Sequence, residues 1–292
     1  MALTRIIAGG LAPRLAGLGL GVALAMGAAA GPALAAPKSL APVEQQEWTF
    51  AGVFGQYDQA QLQRGFKVYV EACAFCHSME LVAFRNLADA SGPNFSEDEV
   101  KALAAEWPYS ITDISNETGR PFERQPELTD RIPGPYPNKI AAAAANGGAY
   151  PPDFSLIAKA RAVQRGFPNF VVDAFAGYAE NGPDYLYALL LAYQEPPEDV
   201  EPVPAKWYNP VFMAGPWISM PPPLRDGQIE YTDGSPETIE QYSADISAFL
   251  MWAAEPKLEE RKELGFRVMV FLAVFAVLIY LTKRKLWRNL KH

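Results

Sequence analysis

Five consecutive residues, Cys73 to His77, read Cys-Ala-Phe-Cys-His and combine two thiols with an adjacent imidazole. Two thiols at this spacing can each add across a vinyl group of one haem, and a histidine directly after the second thiol can then bind the iron. The pattern therefore predicts one covalently bound haem c. Cys73 and Cys76 would attach it, and His77 would be the proximal iron ligand.

The same two cysteines also permit a redox dithiol, a disulfide or half of a zinc site. A zinc site needs four ligands, but outside this motif the chain has no cysteine and one other histidine, His292, its last residue. A redox CxxC is expected beside a βαβ pattern, which the sequence does not show. Covalent haem is the favoured interpretation, and the single copy of the motif predicts one haem.

Charge is distributed unevenly along the chain. The formal net charge is −8, from 25 basic and 33 acidic residues. Residues 1–36 and 283–292 hold seven of the basic residues and no acid, so the part between them has 18 basic against 33 acidic residues, a balance of −15. Such a balance argues against nucleic-acid binding and favours a basic protein partner.

Residues 1–35 are typical of a secretory signal peptide. Arg5 and Arg14 precede an apolar stretch rich in alanine and glycine, and Ala33-Leu34-Ala35 gives a small-x-small cleavage site. An uncleaved membrane anchor is the alternative, but the apolar stretch is short for a span. Export agrees with the haem prediction, because c-type haem is attached outside the cytoplasm in bacteria.

A second apolar segment, near the C-terminus, predicts a membrane anchor. Val268 to Leu281 is an unbroken apolar run of 14 residues, and Leu264 to Phe266 extends it to about 18 if Arg267 snorkels to the interface. A buried core helix is the alternative, but the basic residues that follow at once fit the positive-inside rule. We therefore predict a single-pass protein of the bacterial inner membrane with its C-terminus in the cytoplasm. The predicted parts are a signal peptide over 1–35, a periplasmic haem domain over 36–263, a transmembrane anchor over 264–282 and a basic cytoplasmic tail over 283–292.

Capping patterns and apolar periodicity predict the elements that would position the haem motif. Asp58 with Gln61 is a capping pattern for a helix that leads into the motif, and Ser96 with Glu99 is another for a short acidic helix. Residues 107–137 are rich in turn formers and are predicted to be irregular. Further helices are predicted over 141–145, over 185–193, and from Ser235-Pro236 towards Pro256.

A proximal histidine leaves one axial position for a methionine, a small molecule or an open site. Because the other histidine is predicted to lie across the membrane, the remaining protein candidates are Met213, Met220 and Met251. Met251 belongs to a predicted helix, whereas Met213 and Met220 lie in a segment rich in proline and glycine. Met220 is favoured over Met213 because Pro221-Pro222-Pro223 would stiffen the backbone beside its sulfur.

Several stretches of the chain resemble the cytochrome c1 family. They read RGFKVYVEACAFCHSMELVAFRNL, PYPNKIAAAAANGGAYPPDFSLIAKAR, GPDYLYALLLAYQEPP, YNPVFMAGPWISMPPPL and YTDGSPETIEQYSADISAFLMWAAEP. With the anchor they span roughly residues 64–292, nearly the whole mature chain. The resemblance implies a mainly α fold: a class I cytochrome c-like haem domain with long irregular insertions and one C-terminal transmembrane helix.

The resemblance also implies roles for individual residues. Met220 falls at the position of the family's axial methionine. Arg161 and Tyr185 match residues that hydrogen-bond the haem propionates, and Asn146 matches a residue near them. Pro152 matches a proline behind the proximal histidine.

The activity implied by the resemblance is a one-electron relay in the bc1 complex of a respiratory or photosynthetic chain. A Rieske iron–sulfur protein would reduce the haem, a basic cytochrome c would accept the electron, and cytochrome b would hold the quinol site that this subunit lacks. Histidine–methionine ligation raises the reduction potential, which suits an acceptor downstream of quinol. Two rivals are a membrane-tethered cytochrome c of another respiratory chain, and a haem enzyme such as a peroxidase with an open distal position.

Overall fold

The computed structural model describes residues 41–162 and 181–289, so the predicted signal peptide lies outside the described residues. The described chain is mainly helical, with short strands that pair into two-stranded antiparallel sheets. The α-helices are α1 (Gln59–Val68), α2 (Glu97–Ala105), α3 (Lys139–Ala145), α4 (Ile157–Ala160), α5 (Asn181–Leu191), α6 (Ile239–Ala254) and α7 (Leu258–Trp287). The strands are β1 (Met79–Ala83), β2 (Ile111–Ile114), β3 (Pro121–Arg124), β4 (Arg131–Ile132), β5 (Trp207–Tyr208) and β6 (Trp217–Ile218), paired as β1 with β4, β2 with β3, and β5 with β6.

The closest helix packing joins α1 to α6. Leu62 and Phe66, one turn apart on α1, are buried, and the Phe66 ring meets the Phe249 ring of α6 edge to face at 5.7 Å. Gly65 lies at the crossing, where an added Cβ would come within 2.2 Å of the Asp245 carbonyl oxygen. The helices approach this closely because residue 65 has no side chain.

A buried ion pair crosses the same interface. Arg64 on α1 donates from Nε and Nη2 to the two carboxylate oxygens of Asp245 at 2.9 and 3.2 Å, and the Asp245 side chain is 0% exposed. The Tyr231 hydroxyl donates a further bond to Asp245 at 2.9 Å. Burial alone would lower the pKa of Arg64, but the bonds to Asp245 and Asp233 raise it above its ordinary value. The guanidinium therefore stays charged and holds α1 against α6.

Capping at the predicted helix starts is confirmed in two places. The Asp58 side chain accepts from the Gln61 N–H at 3.1 Å and starts α1. At α2 the full capping box forms, since Ser96 Oγ accepts from the Glu99 N–H and the Glu99 carboxylate accepts from the Ser96 N–H. These contacts are local in sequence, which explains why their residue pattern predicts them.

The helix predicted to run from Ser235-Pro236 towards Pro256 is α6, and its predicted start is wrong. Helix α6 begins at Ile239, with the Thr238 side chain accepting from the Gln241 N–H. Ser235 instead donates from its N–H and its hydroxyl to the Asp233 carboxylate. Its polar groups therefore complete a turn and are not available to cap a helix.

The segment over residues 107–137 is also more regular than predicted. It contains the β2–β3 hairpin and strand β4. Arg124 on β3 donates to Asp113 on β2 at 2.8 Å and to Asp130 at 2.6 Å, which fastens the hairpin to the chain before β4. These pairings form between turn-rich segments that have little strand signal of their own.

Helix α7 is longer than the predicted span of 264–282. Leu258, its first residue, is buried in the domain, whereas the side chains from Glu263 onward are exposed. In the described part of the chain it is the one helix long and apolar enough to cross a membrane. Its 30 residues correspond to about 45 Å. The predicted fold class, a mainly α domain with irregular segments and one apolar C-terminal helix, is confirmed.

Candidate haem site

The CxxCH motif begins where α1 changes its winding. Tyr69–Cys73 form a π-helical turn, in which the Ala74 N–H donates to the Tyr69 carbonyl at 2.8 Å. Such turns are rare and are frequently found at functional sites. The N–H groups of Cys76 and His77 then both donate to the Cys73 carbonyl, at 3.1 and 3.0 Å. The motif therefore forms a tight turn directly after the helix.

The two thiols are not joined in a disulfide; Cys73 is half-buried and Cys76 is exposed. Burial raises the pKa of the Cys73 thiol to about 12, and the neighbouring Cys76 adds to the rise. Reactive thiols of redox CxxC motifs have lowered pKa values. The environment of Cys73 is therefore opposite to that of a redox dithiol.

His77 is 8% exposed, and its ring is oriented by one hydrogen bond. Nδ1 lies 2.8 Å from the Pro152 carbonyl oxygen. Because a carbonyl can only accept, Nδ1 carries the proton and Nε2 keeps its lone pair for a metal. Burial lowers the pKa of His77, against the opposing effects of the Pro152 carbonyl and Asp153. The imidazole is therefore neutral at neutral pH, as metal binding requires.

Two aromatic residues, Phe154 and Tyr69, contact the ring and the backbone of His77. The Phe154 ring stacks on the imidazole with centroids 4.0 Å apart and an interplanar angle of 19°. The hydroxyl of the buried Tyr69 donates to the His77 carbonyl at 3.0 Å. Phe154 is fixed in turn because its N–H donates to the Ser78 carbonyl at 2.8 Å. Both the ring and the backbone of His77 are thus held in place.

The Asp153 carboxylate connects the Pro152 segment to the residues after the motif. One oxygen accepts from Ser78 Oγ and from the Glu80 N–H, both at 2.8 Å, and the other accepts from the Ser155 N–H at 2.9 Å. These three bonds fix the backbone just after His77 and just after Pro152. Asp153 is therefore a positioning residue for the bond between Pro152 and His77.

Replacing Asp153 with asparagine is expected to raise the reduction potential of the haem-loaded protein. A loosened Pro152 carbonyl would accept less strongly from Nδ1–H, so the imidazole would become less basic and stabilise ferric iron less. A redox titration measures the shift. Glu80→Gln is the matched control, because it removes an exposed neighbouring charge without touching the three bonds. Equal shifts in the two variants would show that Asp153 acts by charge alone.

The three candidate methionines lie in different surroundings. Met251 is fully buried in the core, so packing accounts for its side chain. Met213 is half-buried and packs against the same core, and its N–H donates to the Tyr185 hydroxyl at 3.2 Å. Met220 is half-buried outside that core cluster, and its carbonyl accepts from the Tyr193 hydroxyl at 3.2 Å. Of the three, Met220 has the side chain that core packing explains least.

The charge of Arg161 acts on Tyr185, and both residues are predicted propionate ligands. Tyr185 is buried on α5, and its pKa is raised by burial while the Met213 N–H and the charge of Arg161 oppose the rise. Arg161 is the C-cap residue of α4 and is half-buried. In the parts of the chain described, no carboxylate lies within ion-pair distance of its guanidinium. A half-buried cation beside a tyrosine hydroxyl suits an anionic group such as a propionate.

Asn146, the residue predicted to lie near the propionates, is the C-cap residue of α3. Its Nδ2 donates to the Tyr136 hydroxyl at 3.1 Å and to the Ala142 carbonyl at 2.8 Å. Burial raises the pKa of Tyr109, and both Tyr136 and Cys76 add to the rise. The Asn146 side chain is thus held by the Tyr136 hydroxyl and by the last turn of α3.

Sequence reasoning missed Phe154, Asp153 and Tyr193 as supporting residues. The first two directly follow Pro151-Pro152 in the stretch PPDF, and this adjacency is the signal that could have found them. Tyr193 lies eight residues after Tyr185, and its part in holding the Met220 carbonyl depends on the path of the later loop. No local sequence pattern predicts that contact.

The donor set as a whole fits a covalent haem. It offers two thiols outside any disulfide, a neutral imidazole with a free Nε2, a thioether outside the core, and a guanidinium without a carboxylate partner in the described chain. Each of these groups matches one chemical requirement of a haem: vinyl attachment, two axial ligands and an acidic edge.

Comparison with known proteins identifies the family of the chain. The family model described as "Cytochrome C1 family" matches residues 48–290. Cytochrome c1 of Blastochloris viridis is 51% identical over 246 residues, which cover 84% of this chain and 86% of that protein. Cytochrome c1 of Rhodospirillum rubrum is 44% identical over 272 residues, covering 93% and 97%. A longer protein of Bradyrhizobium diazoefficiens, named cytochrome b/c1, is 52% identical over 244 residues. The match covers 83% of this chain and 35% of that protein. The chain therefore belongs to the cytochrome c1 family.

Proposed function

We propose that this chain is a membrane-anchored, monohaem c-type cytochrome that relays single electrons within the bc1 complex of a respiratory or photosynthetic chain. The observation that carries the proposal is the His77 ring, which Pro152 orients so that Nε2 is free, directly beside the two thiols of the motif. Membership of the cytochrome c1 family supports the same reading.

The residues of the chain have separate roles in this proposal. The haem, when bound, supplies a one-electron couple. Cys73 and Cys76 would hold it by thioether bonds, and His77 and Met220 would bind its iron. Pro152 fixes the orientation of the imidazole. Arg161 and Tyr185 would bind the propionates, and Asn146 would lie near them.

The proposed partners are a Rieske iron–sulfur protein as electron donor, a basic cytochrome c as acceptor, and cytochrome b, which holds the quinol site. The name cytochrome b/c1, carried by the Bradyrhizobium relative, supports the cytochrome b partner. Purification of the chain from native membranes tests the set. Cytochrome b and a Rieske protein should co-purify with it, whereas association with a different set of respiratory proteins would favour a tethered cytochrome c of another chain.

We further propose that the haem domain lies in the periplasm and that α7 crosses the inner membrane once, with the basic tail in the cytoplasm. Support comes from the exposed apolar length of α7 and from the lysine and arginine residues after it. The signal sequence over residues 1–35 would direct export.

Deleting residues 264–292 is expected to release a soluble, haem-loaded domain into the periplasm. The residues proposed to hold the haem all lie before this point, so the haem spectrum should match that of the full chain. Fractionation of cells that lack the partner subunits measures the release. If the deleted chain, with its signal removed, stays in the membrane fraction, α7 is not the sole anchor.

Two acidic patches are candidates for docking a basic cytochrome c, and they differ in their surroundings. In the first, Glu97, Asp98 and Glu99, the first two pair with Lys101 at 3.0 and 3.3 Å, and Glu99 caps α2. The second patch consists of exposed residues in the loop after α5, namely Glu195, Glu198, Asp199 and Glu201. Within the described chain none of these four has an ion-pair partner. The second patch is the stronger candidate, because no lysine or arginine in the described chain pairs with it and because it begins two residues after Tyr193.

Neutralising the second patch to glutamine and asparagine is expected to flatten the salt dependence of cytochrome c reduction. Complementary charge raises association rates at low ionic strength, and the effect fades as the Debye length falls to about 8 Å near 0.15 M salt. Stopped-flow rates over a salt series measure the slope. A variant of Glu97 and Asp98, which leaves the Glu99 cap intact, is the control and should keep most of the slope. If neither variant changes it, docking lies elsewhere.

A further inference from the structure

Two apolar side chains project from a short loop at the edge of the domain. Val53 and Phe54 are 47% and 76% exposed. They lie between Gly52, whose φ of +77° is in the left-handed region, and Gly55, where an added Cβ would come within 2.0 Å of the Ala51 carbonyl oxygen. Glycine is therefore required on both sides of the pair. We refer to Gly52–Gly55 as the 52–55 loop.

The base of the 52–55 loop is firmly packed. Phe50 is fully buried, and its ring stacks on Trp48 at 5.4 Å and lies 5.2 Å from the Tyr57 ring. The Gln56 N–H donates to the Thr49 carbonyl at 3.0 Å and closes the loop. Because the base is fixed in this way, the exposure of Val53 and Phe54 is a property of the fold.

The loop is also fixed to the membrane anchor. The Phe54 ring meets the Phe266 ring of α7 edge to face, with centroids 5.3 Å apart. Lys262, one turn earlier on α7, donates from Nζ to the carbonyls of Phe50 and Gly55. The position of the loop along α7 is therefore set at two points, and its apolar tip continues the apolar surface of the helix.

The depth of that contact follows from helix geometry. A hydrocarbon layer of about 30 Å takes about 20 helical residues. The predicted anchor over residues 264–282 matches this length. Counted from Leu264, its first residue, Phe266 lies about 3 Å inside the boundary at 1.5 Å per residue. The Phe54 ring, which touches Phe266, lies at nearly the same depth.

We propose that the 52–55 loop is a second membrane contact, whose Val53 and Phe54 side chains insert at the boundary between lipid headgroups and acyl chains. The inference rests on the proposed role of α7 as the anchor. Lipid is the favoured occupant because the side chain that Phe54 touches belongs to the exposed apolar surface of the span itself. Side chains at this depth transfer favourably from water. The contact would restrict how far the haem domain tilts and rotates about α7, although two side chains are too few to hold the domain in the membrane alone.

Site-directed spin labelling of the full-length, haem-loaded chain in bilayers of phosphatidylcholine and phosphatidylglycerol tests the proposal. Nitroxide labels are introduced through Val53→Cys and, separately, Phe54→Cys, so that the result does not depend on one variant. Val270→Cys in the middle of α7 is the membrane reference, and Ile114→Cys, an exposed apolar position on the β2–β3 hairpin, is the water reference. Power saturation compares the access of oxygen, which partitions into lipid, with that of a water-soluble nickel complex.

Labels at positions 53 and 54 should shift from the water-like ratio of the Ile114 label towards the lipid-like ratio of the Val270 label. A water-like ratio at both loop positions, with Val270 lipid-like, would overturn the loop proposal and leave the anchor intact. A water-like ratio at Val270 would instead overturn the anchor. If the loop labels lost access to both reagents only when the partner subunits are bound, and were water-like without them, a protein surface would be the occupant and the lipid proposal would be wrong.

Discussion

Replacing Met220 with leucine is expected to lower the reduction potential of the haem-loaded protein and to let carbon monoxide bind the ferrous iron. Met220 is the proposed second iron ligand, so loss of its thioether would remove a ligand that favours ferrous iron and would open a coordination position. Axial ligands set haem potentials over a range of about 0.8 V, so a fall of roughly 0.1 V or more is expected. Redox titration and the visible spectrum under carbon monoxide measure the two effects.

The matched controls are Met213→Leu and Met251→Leu. Met213 and Met251 both pack in or against the core, so these variants should affect stability more than the potential. A fall in potential with Met213→Leu and none with Met220→Leu would reverse the ligand assignment. Ready binding of carbon monoxide by the unaltered ferrous protein would instead indicate an open distal position and favour the haem-enzyme alternative.

Replacing Asp245 with alanine is expected to cost about 3–5 kcal/mol of unfolding free energy, because it leaves the Arg64 charge at the α1–α6 interface without its buried partner. The Tyr231 hydroxyl and the Gln241 side chain also lose their acceptor. For a domain of this size the melting temperature should fall by roughly 10 °C. Thermal unfolding of the haem-loaded chain, followed by circular dichroism, measures the loss.

Asp233→Ala is the matched control for this prediction. Asp233 binds the same guanidinium at 2.9 Å but is 42% exposed, so solvent already screens its charge. Its removal should change the melting temperature far less. If the two variants had equal effects, the buried geometry of Asp245 would add nothing to the pairing, and the packing of α1 on α6 would not depend on it.

The haem motif and the helix caps could be predicted because each depends on residues only a few positions apart. Covalent spacing alone puts Cys73, Cys76 and His77 in reach of one haem, and Ser96 reaches the Glu99 N–H within a single helical turn. The long apolar helix α7 was predictable for a similar reason, because an unbroken apolar run is visible in the sequence itself. The helix starts six residues earlier than the predicted span because the first turn packs in the domain.

The long-range contacts that hold these elements together depend on the tertiary structure. The Pro152 carbonyl reaches His77 across 75 residues, and Asp245 reaches Arg64 across 181. Phe54 meets Phe266 across a still longer stretch of chain. Local pattern cannot predict such contacts, since they depend on how the intervening segments pack and where each one turns. The sequence alone predicted which groups could hold a haem and which segment is long and apolar enough to cross a membrane. Tertiary packing decided which carbonyl orients the histidine, which carboxylate holds α1 against α6, and which loop lies beside α7.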